Sequence, residues 1–287
     1  MRLELVETQR YAVLSQRATR QRWFGRSVAA FTVNSPRVDY GDAALRALME
    51  PHLRKMRAAR PTTDSSMTAR ILRYDADRYK LAESLRNALS VGSLEACACA
   101  DAHEKRALLA PLLDLATRRP FQRAYDAWVR GVVLPTLSGD ATRVRYQRFP
   151  CVRAQCPGDM TLGPHCDAAY GHAASTIIVS ALLTRAFGTN ALIYEARPGR
   201  ENWTAFEGSE GAALAFPGGL AAHFTSENTT GVTRWSIDAR VLVDDATSAY
   251  DAGSYFAVAE RVGGAWRCVG DEIDAVDPRV GIPFDRK

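Results

Sequence analysis

Two hydrophobic periodicities divide the chain. Up to about residue 142, apolar side chains recur every three or four positions, the spacing of amphipathic helices. Leu45, Leu48, Met49 and Leu53 share one stripe, Leu81, Leu85 and Leu89 a second, and Tyr125, Trp128, Val132 and Val133 a third. Helices are expected over 43–56, 79–89, 108–115 (interrupted by Pro111) and 121–137, with caps at Asp42 and Ser93. From about Arg143 the period falls to two, which predicts strands over 143–149, 175–183, 191–195, 212–216, 221–225, 232–243, 255–261 and 265–269. Turn signals stand between them at Pro157-Gly158, Gly188-Thr-Asn190, Pro198-Gly199, Pro217-Gly-Gly219 and Asn228-Thr-Thr-Gly231. Short strands at this spacing suggest a sandwich or jelly roll. An α+β fold, with an N-terminal helical layer packed on a β core, is the simplest architecture. Without an internal repeat or low-complexity linker, 1–287 reads as one domain: helical support and substrate region over 1–142, core over 143–245, hairpin and tail over 246–287.

Composition narrows the class. Among 287 residues, 47% are apolar and 24% charged, enough for a substantial core and against wholesale disorder. No apolar run is long enough to span a bilayer, and the first ten residues carry Glu4 and Glu7 with no signal-peptide apolar region. A cytoplasmic chain with six free thiols is therefore expected. Cys97-Ala-Cys99 is spaced too closely for a zinc knuckle and has no second cysteine pair to complete one. The net charge of +5 is unevenly spread: residues 1–145 hold 25 Lys/Arg against 15 Asp/Glu, and the remainder 12 against 17. A basic half raises the question of nucleic acid, but the arginines are dispersed along helices without a basic block or an aromatic ladder, which favours solvated helix faces.

Chemistry concentrates in the β half, which contains three of the five histidines. His165-Cys166-Asp167 sets an imidazole and a carboxylate on one side of an extended segment and turns Cys166 away as a packed thiol. His223 follows in a short β-like segment, and eleven positions later Arg234-Trp-Ser-Ile-Asp-Ala-Arg240 places Arg234, Ser236, Asp238 and Arg240 on one strand face. An Arg-x-Ser pair on one face suits a ligand carboxylate, gripped by the guanidinium and steered by the hydroxyl. Two histidines and a carboxylate form the facial triad of non-haem Fe(II), leaving three coordination positions for a cosubstrate and dioxygen.

Three segments carry a resemblance: Leu162-Gly-Pro-His-Cys-Asp-Ala-Ala-Tyr-Gly-His172, Gly188-Thr-Asn-Ala-Leu-Ile-Tyr-Glu195, and His223 through Thr233-Arg-Trp-Ser-Ile-Asp-Ala-Arg240. Over about 145–245 the sequence resembles the Fe(II)/2-oxoglutarate-dependent dioxygenases, most nearly the phytanoyl-CoA-hydroxylase-like members of streptomycin-type biosynthetic clusters. The resemblance implies a double-stranded β-helix (a cupin-like jelly roll) and a cycle using Fe(II), 2-oxoglutarate and O2, with ascorbate as reductant. It implies His165, Asp167 and His223 as iron ligands and Arg234 as the grip on the 2-oxoglutarate C5 carboxylate, assisted by Ser236. Arg240, on the same strand face, competes for that grip. Asn190 reads either as a turn residue or as an oxoglutarate contact. Asp167 favours hydroxylation, desaturation or ring closure, because halogenating relatives replace that carboxylate with Gly or Ala.

For substrate, Tyr170, His172, Glu195, Arg145 and Arg153 are candidate contacts, each with a structural alternative; for His172 that alternative is a surface position. The loops 171–176 and 197–203 are the expected specificity surfaces. The implied substrate is a small polar metabolite, with no membrane partner. Two rivals remain. The Arg-x-Ser-x-Asp-x-Arg run partly echoes nucleic-acid demethylases, which would make the chain a nucleic-acid- or protein-modifying oxygenase. A non-catalytic jelly-roll module would instead use the metal only for structure. His52 and His103 lie in helical segments and are assigned no chemistry.

Overall fold

The computed structural model describes residues 67–161, 163–244 and 255–269, together with Glu50, Arg54, Ala58 and Pro278. Of the expected helix over 43–56 only Glu50 and Arg54 are described, and both are helical; the cap at Asp42 lies outside the described residues. Eleven strands and a helical layer make up the described fold. Strand β1 (Arg70–Arg73) leads into helices α1 (Ala76–Tyr79), α2 (Leu81–Leu89), α3 (Ala102–Leu109), α4 (Leu115–Trp128) and α5 (Leu134–Leu137). Strands β2 (Arg143–Gln147), β3 (Cys151–Gln155), β4 (Ile177–Leu182), β5 (Leu192–Glu195), β6 (Trp203–Phe206), β7 (Ala212–Phe216), β8 (His223–Thr225), β9 (Arg234–Leu242), β10 (Phe256–Val262) and β11 (Ala265–Val269) follow.

Local chemistry accounts for the helix boundaries. Aspartates at positions 75, 101 and 114 cap α1, α3 and α4, each carboxylate accepting backbone N–H bonds from the first turn. Ser93 caps no helix; its hydroxyl accepts the Ala96 N–H in a turn. Pro111 ends α3 early and opens a 3-10 turn over Ala110–Leu113. The expected 121–137 helix is interrupted: α4 starts earlier, at Leu115, and passes through a π turn over Val129–Val133 before α5. Within that turn Gly131 is required by packing, since a Cβ there would collide with the buried Tyr79 hydroxyl.

An eight-stranded antiparallel sheet runs β1-β7-β4-β9-β2-β10-β11, with β3 also paired to β9. A second sheet has the order β6-β5-β8. Strand β9 explains the layering. Trp235, Ile237, Ala239 and Val241 point into a core shared with α1 to α5, while Arg234, Ser236, Asp238 and Arg240 point to the opposite face. Burying a side chain as large as Trp235 or Ile237 stabilises by about 1.5–3 kcal/mol. On the opposite face, Ile178 and Leu182 of β4 and Leu214 and Phe216 of β7 pack with Leu192 and Tyr194 of β5 and Phe206 of β6. Helices therefore cover one face of the large sheet and the small sheet covers the other, so every residue of β9 is buried. The polar row of β9 lies inside this second layer, where a site needs its walls.

Candidate metal and anion site

Backbone pairing brings the two histidines together. His165 forms an isolated antiparallel bridge with His223 at the start of β8: His165 N–H donates to His223 O (3.2 Å) and His223 N–H to His165 O (2.9 Å). Asp167 opens a 3-10 turn, Asp167–Tyr170, held by Asp167 N–H to Gly218 O (2.9 Å) and Ala168 N–H to Gly219 O (3.1 Å). The expectation of an extended His-Cys-Asp segment thus holds through Cys166, which is extended and fully buried, and ends at Asp167. The Pro217-Gly-Gly219 turn is what lets the Asp167 turn dock. A Cβ on Gly219 would fall within 2.7 Å of Ala173 O and closer still to Ala174 O. Gly219→Ala is expected to destabilise by about 1–3 kcal/mol and to weaken metal retention, read by thermal denaturation and metal titration; a wild-type melting temperature would contradict the close approach.

The donor atoms converge. His165 Nε2 lies 3.7 Å and His223 Nε2 3.9 Å from Asp167 Oδ1, and one donor atom from each residue falls within 4.8 Å of the others. The opposite ring nitrogens are anchored, His165 Nδ1 at 2.8 Å from Gly163 O and His223 Nδ1 at 3.1 Å from Ala221 O. A carbonyl oxygen can only accept, so the proton belongs on each Nδ1 and the Nε2 lone pairs face the centre. Backbone anchoring of the distal nitrogen is the arrangement that orients metal-ligating imidazoles. Two neutral imidazoles and one carboxylate fit a divalent transition metal.

Electrostatics keep this donor set ready. Burial, reinforced by the neighbouring His223, lowers the His165 pKa to about 3, although Asp167 opposes it. Burial also lowers His223. Burial would raise Asp167, but Arg240 and the histidines overcome it and hold the carboxyl well below the usual range. Arg240 Nε donates to Asp167 Oδ2 (2.7 Å) and Nη2 lies 3.4 Å from Oδ1, while Nη1 reaches Gln147 Oε1 (3.2 Å) and Cys151 Sγ (3.1 Å). The histidines' folded-state pKa values lie below their unfolded values, so the metal-free fold resists protonation and loses stability as pH falls below about 6.5. Because the His165 side chain remains 13% exposed, its share at pH 5 is held to roughly 1–2 kcal/mol. The melting temperature of the metal-free protein should fall between pH 7 and pH 5, and His165→Asn should shrink that fall; equal falls would disprove the coupling.

The second basic group is wired differently. Arg234 Nε donates to Asn190 O (3.0 Å), Nη2 to Gln155 Oε1 (2.7 Å), and Nη1 to the Ser236 hydroxyl. All three partners are neutral, and burial lowers the Arg234 pKa to about 10. Asn190 serves this site through its backbone: its side chain closes a turn, accepting Phe187 N–H (2.7 Å) and donating to Thr230 Oγ1 (3.1 Å). Arg153, opposite Ser236 in the β3–β9 register, donates to Asp238 Oδ2 (3.0 Å) and keeps 15% of its side chain exposed.

The remaining sequence candidates fall around this centre or away from it. Tyr170 is 50% exposed, with its ring edge-on to His165 at 5.4 Å. His172 is buried, its ring 5.7 Å from that of Tyr255, which removes the surface position that stood as the alternative to a substrate contact. Glu195 is buried, and its carboxylate accepts backbone N–H bonds from Gly199 (3.2 Å), Glu201 (2.9 Å) and Ala222 (2.8 Å), so it fixes the segment before His223. Arg145 lies on β2 with its guanidinium 5.7 Å above the Phe256 ring. Gln147, Cys151 and Gln155 were not singled out from the sequence. Each partners an arginine 79 to 93 positions away, a separation that local patterns do not reveal.

The site can be set beside known proteins. The chain is 27% identical over 207 residues to the streptomycin biosynthesis protein StrG of Streptomyces griseus, a match covering 69% of this chain and 97% of that protein. The chain thus resembles a protein of streptomycin biosynthesis over two thirds of its length. No family profile matches it. Similar solved structures include the non-heme monooxygenase ThoJ in complex with nickel (17% identity, 67% of this chain and 83% of that one, TM-score 0.38). Another is the non-heme alpha ketoglutarate dependent epimerase SnoN from nogalamycin biosynthesis (16% identity, 78% and 88%, TM-score 0.36). A third is a 2OG-Fe(II) oxygenase family oxidoreductase from Burkholderia pseudomallei (13% identity, 87% and 97%, TM-score 0.31). Among the described residues no helix is long and apolar enough to cross a membrane.

Proposed function

We propose that the chain is a non-haem Fe(II)- and 2-oxoglutarate-dependent dioxygenase that hydroxylates, desaturates or cyclises a small polar metabolite of secondary metabolism. In this reading residues 1–287 work as one oxygenase domain with a double-stranded β-helix core over 143–245. The observation that carries it is that the polar face of β9 meets two unlike centres: the His165-Asp167-His223 donor set, bonded through Asp167 by Arg240, and a buried guanidinium, Arg234, whose hydrogen-bond partners are all neutral. A buried cation bonded only to neutral groups is stabilised by an incoming anion. Arg153, Arg234 and Arg240 stand against Asp167 and Asp238 on the same face, so positive charge is in excess before any metal binds. A dianion with one carboxylate near the metal and the other at Arg234 answers both demands. This reading gives the distal carboxylate to Arg234 and Ser236 and leaves Arg240, already committed to Asp167, as the positioning residue for that ligand.

When bound, Fe(II) and 2-oxoglutarate would supply oxidation of the substrate with release of succinate and CO2. The chain's own residues do the rest. His165 and His223 present unprotonated Nε2 atoms, which their Nδ1–carbonyl bonds hold in place. Asp167 offers a carboxylate kept ionised by Arg240. Gln155, Ser236 and the Asn190 carbonyl fix the Arg234 fork before any ligand arrives, so little order remains to be gained on binding. Tyr170, exposed beside His165, and Arg153, at the edge of the same face, are the side chains best placed to meet a substrate, and Arg153 favours an anionic or amino-acid-like one.

The test uses purified protein. Anaerobic addition of Fe(II) and then 2-oxoglutarate should produce a visible charge-transfer band. With air, ascorbate and a panel of small polar substrates, succinate should appear. Arg234→Gln should raise the KM for 2-oxoglutarate by roughly 10-fold or more, as expected for loss of a charge-assisted carboxylate pair. A protein that binds Fe(II) but neither binds nor turns over 2-oxoglutarate would sink this reading in favour of a structural metal.

A further inference from the structure

Three cysteines outside the metal site converge from two distant parts of the chain. Cys97 and Cys99 lie on the loop between α2 and α3, and Cys156 directly follows Gln155 at the end of β3. The loop is fastened to the start of β9. Thr233 N–H donates to Glu95 O (3.0 Å), the Thr233 hydroxyl donates to Cys97 O, and Trp235 Nε1 donates to Leu94 O (2.8 Å). Arg185 N–H adds a bond to Glu95 Oε1 (3.2 Å). Gln155 pairs with Arg234 in the β3–β9 register, so Cys156 comes next beside Thr233, the residue to which the loop is bonded, and the Cys99 side chain meets Cys156 there. Lys105 of α3, ion-paired to Asp159, adds positive charge beside the two sulfurs. Cys99 is half-buried and Cys156 fully buried, and neither is in a disulfide.

We propose that Cys99 and Cys156 form a redox-active dithiol, which peroxide closes reversibly into a disulfide tying the α2–α3 loop to the end of β3. The two sulfurs divide the labour by exposure. Cys99 has a path to solvent; its sulfur attacks the peroxide O–O bond, and its proton leaves with the displaced hydroxide as water. The product is a sulfenic acid on Cys99, held against Cys156. The Cys156 thiolate then attacks that sulfur, forming the S–S bond and displacing hydroxide, which takes up the proton Cys156 has released and leaves as a second water. Two thiols have lost two electrons and one hydrogen peroxide has gained them. The two thiols are coupled: the contact with Cys156 and burial raise the Cys99 thiol, while the same contact lowers Cys156 to about 7 with Lys105 assisting, so Cys99 attacks as a thiol whose proton passes to the departing hydroxide and Cys156 supplies the resolving thiolate. Cys268 offers a contrast, being half-buried on β11, well apart from this cluster in the fold. The clasp would sit one residue from Gln155, which orients Arg234, so the redox state of the loop is positioned to reach the anion site.

The experiment needs no activity. Reduced, metal-free, full-length protein is treated with a modest excess of hydrogen peroxide, alkylated, digested without reductant and mapped by mass spectrometry. The Cys99 and Cys156 peptides should be joined, the six alkylatable thiols should fall to four, and dithiothreitol should restore all six. Cys268→Ser should leave the link intact, and Cys99→Ser should abolish it. Recovery of Cys99 and Cys156 as separate alkylated thiols after peroxide treatment would overturn the proposal. A Cys97–Cys156 link in its place, or Cys156 driven to sulfinic acid with no linked peptide, would do the same.

Discussion

Replacing His223 with alanine is expected to abolish Fe(II) retention and succinate release while leaving the fold in place. The residue has two roles. Its backbone carries the bridge to His165 through one N–H and one carbonyl, and alanine keeps both. Its ring supplies one of the three donor atoms and contacts the His165 ring at 4.2 Å and Phe216 at 5.1 Å. Losing the ring leaves a two-donor site. Since loss of even a supporting bond to a ligand weakens metal sites about 10–100-fold, loss of a ligand should weaken Fe(II) at least roughly 100-fold. Circular dichroism of the metal-free variant should stay near wild type, because alanine keeps the backbone bridge to His165. Metal titration checks the expectation, and a variant that still binds Fe(II) tightly would remove His223 from the donor set.

How much of this was legible beforehand depended on sequence distance. Alternation along 232–243 is visible in the residues themselves, so the strand and its polar face were read correctly and the structure trims it to Arg234–Leu242. Leu81, Leu85 and Leu89 announced α2, and all three are buried. Strand β3 has an apolar face, Val152 and Ala154, but two positions are too few to stand out, and its other face turns Arg153 and Gln155 inward to bond Asp238 and Arg234. Strands β1 (Arg70-Ile-Leu-Arg73) and β6 (Trp203-Thr-Ala-Phe206) do not alternate apolar with polar positions, so no period of two marks them. Ser93 and Asp101 are both good cap residues, yet only Asp101 starts a helix, while the Ser93 hydroxyl closes a local turn at Ala96. For the site, residue identity was legible and wiring was not. The sequence places Arg234 and Arg240 on one face, but only the fold reveals that Asp167 occupies Arg240 while neutral groups surround Arg234.

That division of labour yields the second large effect. Arg240→Met should destabilise the metal-free protein by about 3–5 kcal/mol, the usual consequence of leaving one member of a buried ion pair alone. Arg240 and Asp167 are both buried and joined by two contacts, and methionine preserves much of the volume while removing the charge. For a chain of this length the loss corresponds to roughly 6–15 °C in melting temperature. The sign of its metal dependence is diagnostic. In the wild type Asp167 already has a cation beside it, so adding Zn(II) or Ni(II) raises the melting temperature by an ordinary binding increment. In the variant the metal also supplies the missing positive charge, so the increment should be larger and should recover part of the loss. Arg240→Lys, which keeps the charge but not the two-contact fork, should fall between the two. Melting temperatures with and without metal across the three proteins decide the matter. If Arg240→Met melts within a degree or two of wild type, the Arg240–Asp167 pair does not hold the carboxylate as described. If its metal increment is no larger than the wild type's, Asp167 is not a ligand of that metal.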